Sequence, residues 1–286
     1  MVYSVRRLPF YAPRFFRPCS SGFNGDFMPF PNNPDKYQGE AVMRPADTIA
    51  MRRRFGSFPN IDPPEGLILC LKNDLPHRLR WKTPVHKVGR VLGDMYLVKK
   101  TRGRVGVLSN FGIGAPVVVS LAEEMIAFGV KRFIILSWGG ALQKDLCAGD
   151  IVLNDRAIRD EGVSHHYLSS EKYVSADSAL KQKMEDKLNS SSIKYVSGAT
   201  WTTDAPYRET KDEILQYQSE GVQVVEMEIA GLFALGQVRN VRVASIVVVA
   251  DSLANLTWQS PADMSAINRS FEIAYNIAIA TLNEGA

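Results

Sequence analysis

Cysteine is scarce in this chain: three in 286 residues, Cys19, Cys70 and Cys147, scattered and odd in number. That spacing offers neither a disulfide framework nor a thiolate metal knot, and it points to a reducing, intracellular setting. Histidine is nearly as scarce, with four. Two of them, His165 and His166, are adjacent, and adjacent residues leave a helix or strand in different directions. No metal site and no cofactor is expected. No apolar run is long enough to span a bilayer, so no membrane partner is expected. The net charge of +4 is too small to argue for nucleic acid. Acids are missing from the start: none precedes Asp26, whereas Arg6, Arg7, Arg14 and Arg17 all fall there. An arginine-rich, acid-free start has the character of an organelle transit peptide, and the competing reading is a disordered or surface-wrapping extension. Pro9, Pro13 and Pro18 weaken the amphipathic helix that such a signal needs. Residues 1–62 are therefore set apart as an extension, and the protein is placed in mitochondria or cytoplasm.

What is present from Gly66 onward is regular. A short apolar run at 66–71 reads as a buried strand, as does 132–136, and the runs 133–136 and 246–250 have the both-faces-apolar character of strands covered on two sides. Strands are also expected near 95–100, 104–108, 149–153, 194–200 and 222–226. Helices are expected at 116–128, stopped by Gly129, and at 176–188, 209–219, 229–238 and 262–282. This alternation predicts one α/β domain over residues 66–286 with a mostly parallel core sheet. In such sheets ligands sit at the carboxyl ends of strands, and each chemically suggestive segment falls at such an end.

The segment Glu226-Met227-Glu228 places two carboxylates and a thioether where an apolar strand gives way to an apolar helix. A carboxylate there accepts both hydroxyls of a vicinal diol, while methionine packs on the apolar face of a sugar ring. The plainer alternative is a helix start whose acids complement the dipole. Asp251 follows five strand residues, and a carboxyl leaving a dry strand is suited to proton donation; the alternative is a helix cap. Thr203, Asp204 and Tyr207 follow another strand, and Trp201 and Tyr207 have flat faces on which a base can stack. Gly139-Gly140 allows close backbone approach to a ligand, or a simple bend. His166 lies in a polar loop within reach of a hydroxyl, or is ordinary surface.

Together, Ser109–Pro116, 139–143, 159–167, 202–210, 225–232 and 247–253 resemble the nucleoside phosphorylase-I superfamily of uridine phosphorylases, hexameric purine nucleoside phosphorylases and methylthioadenosine or AMP nucleosidases. The resemblance implies a three-layer α/β/α sandwich with a mixed, mostly parallel central sheet, a small-molecule nucleoside as substrate, and a homo-oligomer, dimer or hexamer. It implies that Glu228 holds the ribose 2′- and 3′-hydroxyls, with Met227 and Glu226 in the same pocket. Asp251 then meets N7 of the leaving base, and Thr203, Asp204 and Tyr207 line it. The chain departs from the phosphorylases where they bind phosphate. Their glycine falls on Asn73, their arginines on His77, Met95 and Ile135, and their hydroxyl residue on Trp138. Arg78 is the substitute one residue along. Charged hydrogen bonds are worth roughly 1.5–3 kcal/mol each, so even two losses remove several kcal/mol of phosphate binding. The expectation is therefore a nucleosidase-like enzyme. A phosphate-dependent phosphorylase and a catalytically silent nucleoside-binding or structural relative are the alternatives.

Overall fold

The structure is a computed structural model and describes residues 34–284 apart from Gln38. The expected transit peptide falls on residues outside those described. Ten strands form one mixed sheet: β1 Gly66–Cys70, β2 Val85–Val91, β3 Gly93–Val98, β4 Val105–Ser109, β5 Arg132–Ala141, β6 Ile151–Asp160, β7 Tyr173–Ser175, β8 Val196–Thr203, β9 Val222–Glu226 and β10 Arg242–Ser252. Among the described residues seven α-helices accompany them: α1 Pro45–Arg54, α2 Leu75–Arg78, α3 Ala115–Phe128, α4 Ser178–Ser190, α5 Lys211–Ser219, α6 Ile229–Arg239 and α7 Ser265–Asn283.

The layering follows from side-chain alternation along buried strands. In β1, Leu67 and Leu69 enter one core with α1, α3 and α6, while Ile68 and Cys70 enter the other with α4 and α7. Strand residues point to opposite faces by turns, so an unbroken apolar strand must be covered twice. The result is the three-layer α/β/α arrangement. Its central pairings, β4 with β1, β1 with β5 and β5 with β10, are all parallel.

Strand β5 is longer than its apolar run suggests and does two jobs. Residues 132–136 lie between β1 and β10. Its end leaves β1 and pairs instead with β9, at Gly140↔Val225 and Ala141↔Val224. Strands β5, β10, β6, β8 and β9 thereby close on themselves, each paired with the next. This closure draws the carboxyl ends of β5, β8, β9 and β10 together.

Two elements carried little signal in sequence. Strand β2 alternates no apolar pattern and forms an edge hairpin with β3. Helix α1, within the stretch set apart as an extension, packs on α3. There Phe58 meets Phe128 edge-on at 5.0 Å, and Arg52 pairs with Glu124 at 3.3 Å. Among the described residues no helix is long and apolar enough to cross a membrane.

Candidate active site

A cleft of about 960 Å3 opens at those gathered strand ends. Its walls are Trp138, Gly139 and Gly140 from β5, Val225 and Glu226 from β9, Met227 and Glu228 from the β9–α6 junction, and Ala250 and Asp251 from β10. Pro206, Tyr207, Glu209 and Lys211 close one side, and the segment from Leu253 to Met264 closes another. Glu228 and Asp251 thus share one cavity.

The two acids of Glu226-Met227-Glu228 divide their labour. Glu226 is buried, and both its oxygens are taken. Oε1 accepts from the Thr200 hydroxyl at 3.1 Å and the Thr202 hydroxyl at 2.5 Å. Oε2 accepts from the backbone N–H groups of Glu228 at 2.7 Å and Ile229 at 2.8 Å. These are the N-cap amide and the first helical amide of α6, which lack partners within the helix and attract negative charge. Glu226 is therefore the acid that completes the helix start, and it shapes the pocket from behind. Burial, then the adjacent Glu228, pushes its carboxyl up to about 8.

Glu228 is turned the other way. Its Oε1 accepts the Gly114 N–H at 2.7 Å at the start of α3. Its Oε2 takes only the Met227 N–H at 3.3 Å and a distant Ser137 hydroxyl at 3.5 Å. Burial raises its pKa. A carboxylate has about four lone-pair sites, so Glu228 keeps acceptor capacity at the cleft wall. Met227, partly buried, lies beside it.

Asp251 is the penultimate residue of β10 and caps no helix. Its Oδ2 accepts the indole N–H of Trp258 at 2.9 Å. Its Oδ1 lies against Gly140, where a Cβ would stand 2.7 Å away. A Cβ on Gly139 would stand 2.6 Å from the Val225 carbonyl oxygen. The Gly-Gly pair is thus required by close approach of β5 to β9 and to Asp251, and it brings bare backbone to the cleft.

The remaining expected residues separate. Tyr207 lines the cleft and is fully exposed. Thr203 and Asp204 lie outside the lining and build the turn that presents it. The Thr203 hydroxyl accepts the Ala205 N–H at 3.2 Å, and Asp204 accepts the Gly162 N–H at 2.8 Å. Trp201 also lies outside the lining, buried edge-on against Tyr217 at 4.8 Å and donating to Asp160 at 2.9 Å. His166 also lies outside the lining and meets the Lys36 ammonium. Arg78 lies outside it too, donating to Asn268 at 2.7 Å with Asp74 at 3.7 Å. His77 is beside Arg80 at 3.1 Å. Met95 and Ile135 are fully buried. Trp138 does reach the cleft, with the Lys72 ammonium 5.9 Å from its ring centroid; Lys72 is itself paired to Asp74 at 2.6 Å. Among the described residues the lining carries four carboxylates, Glu209, Glu226, Glu228 and Asp251, and one cation, Lys211.

Glu209 and Trp258 went unnoticed in the sequence. Glu209 precedes a capping box in which Thr210 and Glu213 satisfy each other across the first turn of α5. The Thr-x-x-Glu spacing was legible. It marks Glu209 as lying outside the helix and therefore available for another task. Trp258 sits in a stretch without periodicity, and only the folded chain places it on Asp251.

Comparison with known proteins agrees with this fold. The sequence pattern of the phosphorylase superfamily matches residues 67–281. A uridine phosphorylase of Treponema pallidum is 30% identical over 156 residues, which are 51% of this chain and 60% of that protein. A DeoD-type purine nucleoside phosphorylase of Caldanaerobacter subterraneus is 30% identical over 154 residues, 53% of this chain and 66% of that protein. The chain thus spans under two-thirds of the length of either relative. The crystal structure of a uridine phosphorylase from Vibrio fischeri superposes with a TM-score of 0.64 at 25% identity, covering 77% of this chain and 91% of that one. With a match across most of its length and the same mixed α/β architecture, the chain belongs to the phosphorylase superfamily.

Proposed function

We propose that this protein cleaves the N-glycosidic bond of a nucleoside and that water, rather than phosphate, accepts the sugar. Glu228, with acceptor capacity left on a buried carboxylate, grips the ribose 2′- and 3′-hydroxyls, and Met227 packs on the ring. Asp251, across the same cleft, meets the departing base, which Tyr207 covers. Bond cleavage builds positive charge on the sugar and negative charge on the base, so acids at the sugar and a proton source at the base answer the two needs. A homo-oligomer, dimer or hexamer, is part of the same reading.

The observation that carries the choice of water is the charge of the cleft. Four carboxylates face one lysine, and the positions where phosphorylases place arginines are filled here by buried Met95 and Ile135. Phosphate binding rests on charge-assisted, preferably bidentate contacts, and among the described residues the lining offers one lysine and no arginine to make them. The names of the relatives favour a phosphorylase instead, and one assay separates the two. The protein is incubated with adenosine, inosine, uridine and methylthioadenosine, with and without inorganic phosphate, and free base is followed. The expected result is base release at the same rate in both buffers. Strict dependence on phosphate establishes a phosphorylase. Nucleoside binding without release, abolished in Glu228→Ala, establishes a catalytically silent binding protein.

A further inference from the structure

The segment that closes one side of the cleft carries a tryptophan to which the reading above gives no task. Trp258 lines the cleft and is 67% exposed, yet its indole N–H donates to Asp251 Oδ2 at 2.9 Å. The backbone brings the two together. Pairing of β10 with β5 slips by one residue between Val249 and Asp251, a bulge of the kind that re-aims a side chain beside a site. The chain then turns back on itself, and Ser252 and Gln259 exchange both backbone hydrogen bonds, at 3.0 and 2.8 Å. In an antiparallel bridge of that register the residues preceding each partner, Asp251 and Trp258, are diagonal neighbours on one face, within reach of an aromatic side chain. The Leu256 N–H closes the turn on the Leu253 carbonyl at 2.8 Å, with Leu256 at a left-handed φ of 59° that is uncommon for a branched residue. Gln218 of α5 donates to the Ala254 carbonyl at 2.9 Å and to the Leu142 carbonyl, just past β5, at 2.6 Å. The hairpin is thereby moored to the elements that frame the cleft.

The last torsion of an aspartate is broad and roughly two-fold, so a carboxylate with nothing to hold it swings. Asp251 is held on both sides. An indole N–H can only donate, which makes Oδ2 its acceptor, and Oδ1 lies against the bare backbone of Gly140. Among the described residues no second donor reaches this carboxylate. We propose that Trp258 is a positioning residue: its indole N–H fixes the Asp251 carboxylate with Oδ2 occupied and Oδ1 turned to the base. The N–H, and not the aromatic ring, is the working part. A group fixed before the ligand arrives needs no reorganisation while the glycosidic bond breaks. Trp258 acts through Asp251, so its removal matters only while Asp251 is present. This inference rests on the reading of the cleft as a site of N-glycosidic cleavage, whether water or phosphate accepts the sugar.

The test measures base release by the full chain from adenosine, inosine and uridine, with phosphate present so that either nucleophile is served, and follows the nucleoside that wild type cleaves fastest. 4-Nitrophenyl riboside, whose leaving group is not a base, reports the sugar site and the folded state. Trp258→Phe should lower kcat/KM for the nucleoside by about tenfold or more, the worth of a hydrogen bond to a charged group. Trp258→Ala should match it within about threefold, since both variants lack the donor. Nitrophenyl riboside cleavage by Trp258→Phe should stay within about threefold of wild type, because kcat/KM moves only with interactions that its transition state uses. Adding Trp258→Phe to Asp251→Ala should change base release by less than about twofold, the non-additivity of two residues that act as one. If Asp251→Ala releases no base, the same cycle is read on nucleoside binding by calorimetry. Unimpaired base release by Trp258→Phe overturns the proposal, as does a Phe variant near wild type beside a crippled Ala variant, which assigns the role to the ring. Losses that add in the double variant overturn it too, as does an equal loss on nitrophenyl riboside. Nitrophenyl riboside cleaved while every nucleoside is left intact overturns it but leaves the sugar site standing. A wild-type protein that cleaves none of the four substrates overturns the N-glycosidic reading together with the proposal.

Discussion

Replacing Glu226 tests whether an acid in the heart of the candidate site is there for stability as much as for chemistry. Its carboxylate is the acceptor for two buried amides, those of Glu228 and Ile229, and for two buried hydroxyls. In Glu226→Ala both amides lose their partner. The Thr202 hydroxyl loses its acceptor as well, whereas the Thr200 hydroxyl has the Val224 carbonyl oxygen at 3.2 Å to fall back on. A buried donor left unsatisfied costs about 1–3 kcal/mol. Two amides alone therefore cost about 2–6 kcal/mol, against a typical total stability of about 5–15 kcal/mol. Glu226→Gln is milder. Its oxygen can keep the two amides, and its NH2 group then faces hydroxyls, which can turn to accept; the expected cost is about 1 kcal/mol. The pH dependence differs too. The folded carboxyl is raised to about 8 from its ordinary 4.5 by burial and by Glu228. The native state therefore holds a proton that the unfolded chain has lost, and stability falls as pH rises between those values. Glu226→Gln removes that contribution. Urea unfolding followed by tryptophan fluorescence, repeated at pH 5 and pH 8, measures all three effects. A loss below about 1 kcal/mol in Glu226→Ala, or equal losses in the two variants, refutes the role assigned to the hydrogen bonds.

Three further outcomes follow from the same geometry. Gly140→Ala puts a Cβ 2.5 Å from Leu253 Cδ1 and 2.7 Å from Asp251 Oδ1. It should cost about 1–3 kcal/mol by overpacking and depress base release well beyond what the lost stability explains, as steady-state kinetics on the folded fraction will show. Thr210→Ala dismantles the capping box of α5 and should lower stability by about 1 kcal/mol, with Thr210→Ser close to wild type in thermal unfolding. Glu228→Ala should weaken binding of a ribonucleoside by about tenfold or more, the worth of a charged hydrogen bond. A 2′,3′-dideoxynucleoside should bind both proteins alike in a calorimetric titration; equal losses for the two ligands contradict diol recognition.

Much of the fold was legible because burial on two faces leaves a plain signature. The apolar run 246–250 lies within β10, and 222–226 is β9 to the residue. Gly129 ends α3 with a left-handed φ of 129° that few other residues adopt. Strand β2 and helix α1 were illegible for the converse reason: each is largely exposed, so neither needs an apolar face. The placement of Glu228, Met227, Tyr207 and Asp251 on one cleft was readable from their positions at strand ends. What the sequence could not decide is which acid keeps acceptor capacity. Glu226 and Glu228 are two residues apart with the same side chain. Only the arrival of Thr200 and Thr202 from β8 and of Gly114 from α3 commits one to holding the helix and leaves the other facing the cleft. Glu209 and Trp258 became visible only when the folded chain brought both to the cleft that Asp251 lines. Local composition determines which segments must be buried. The charge state and free lone pairs of a site depend on partners tens of residues away, and those are settled only when the chain is packed.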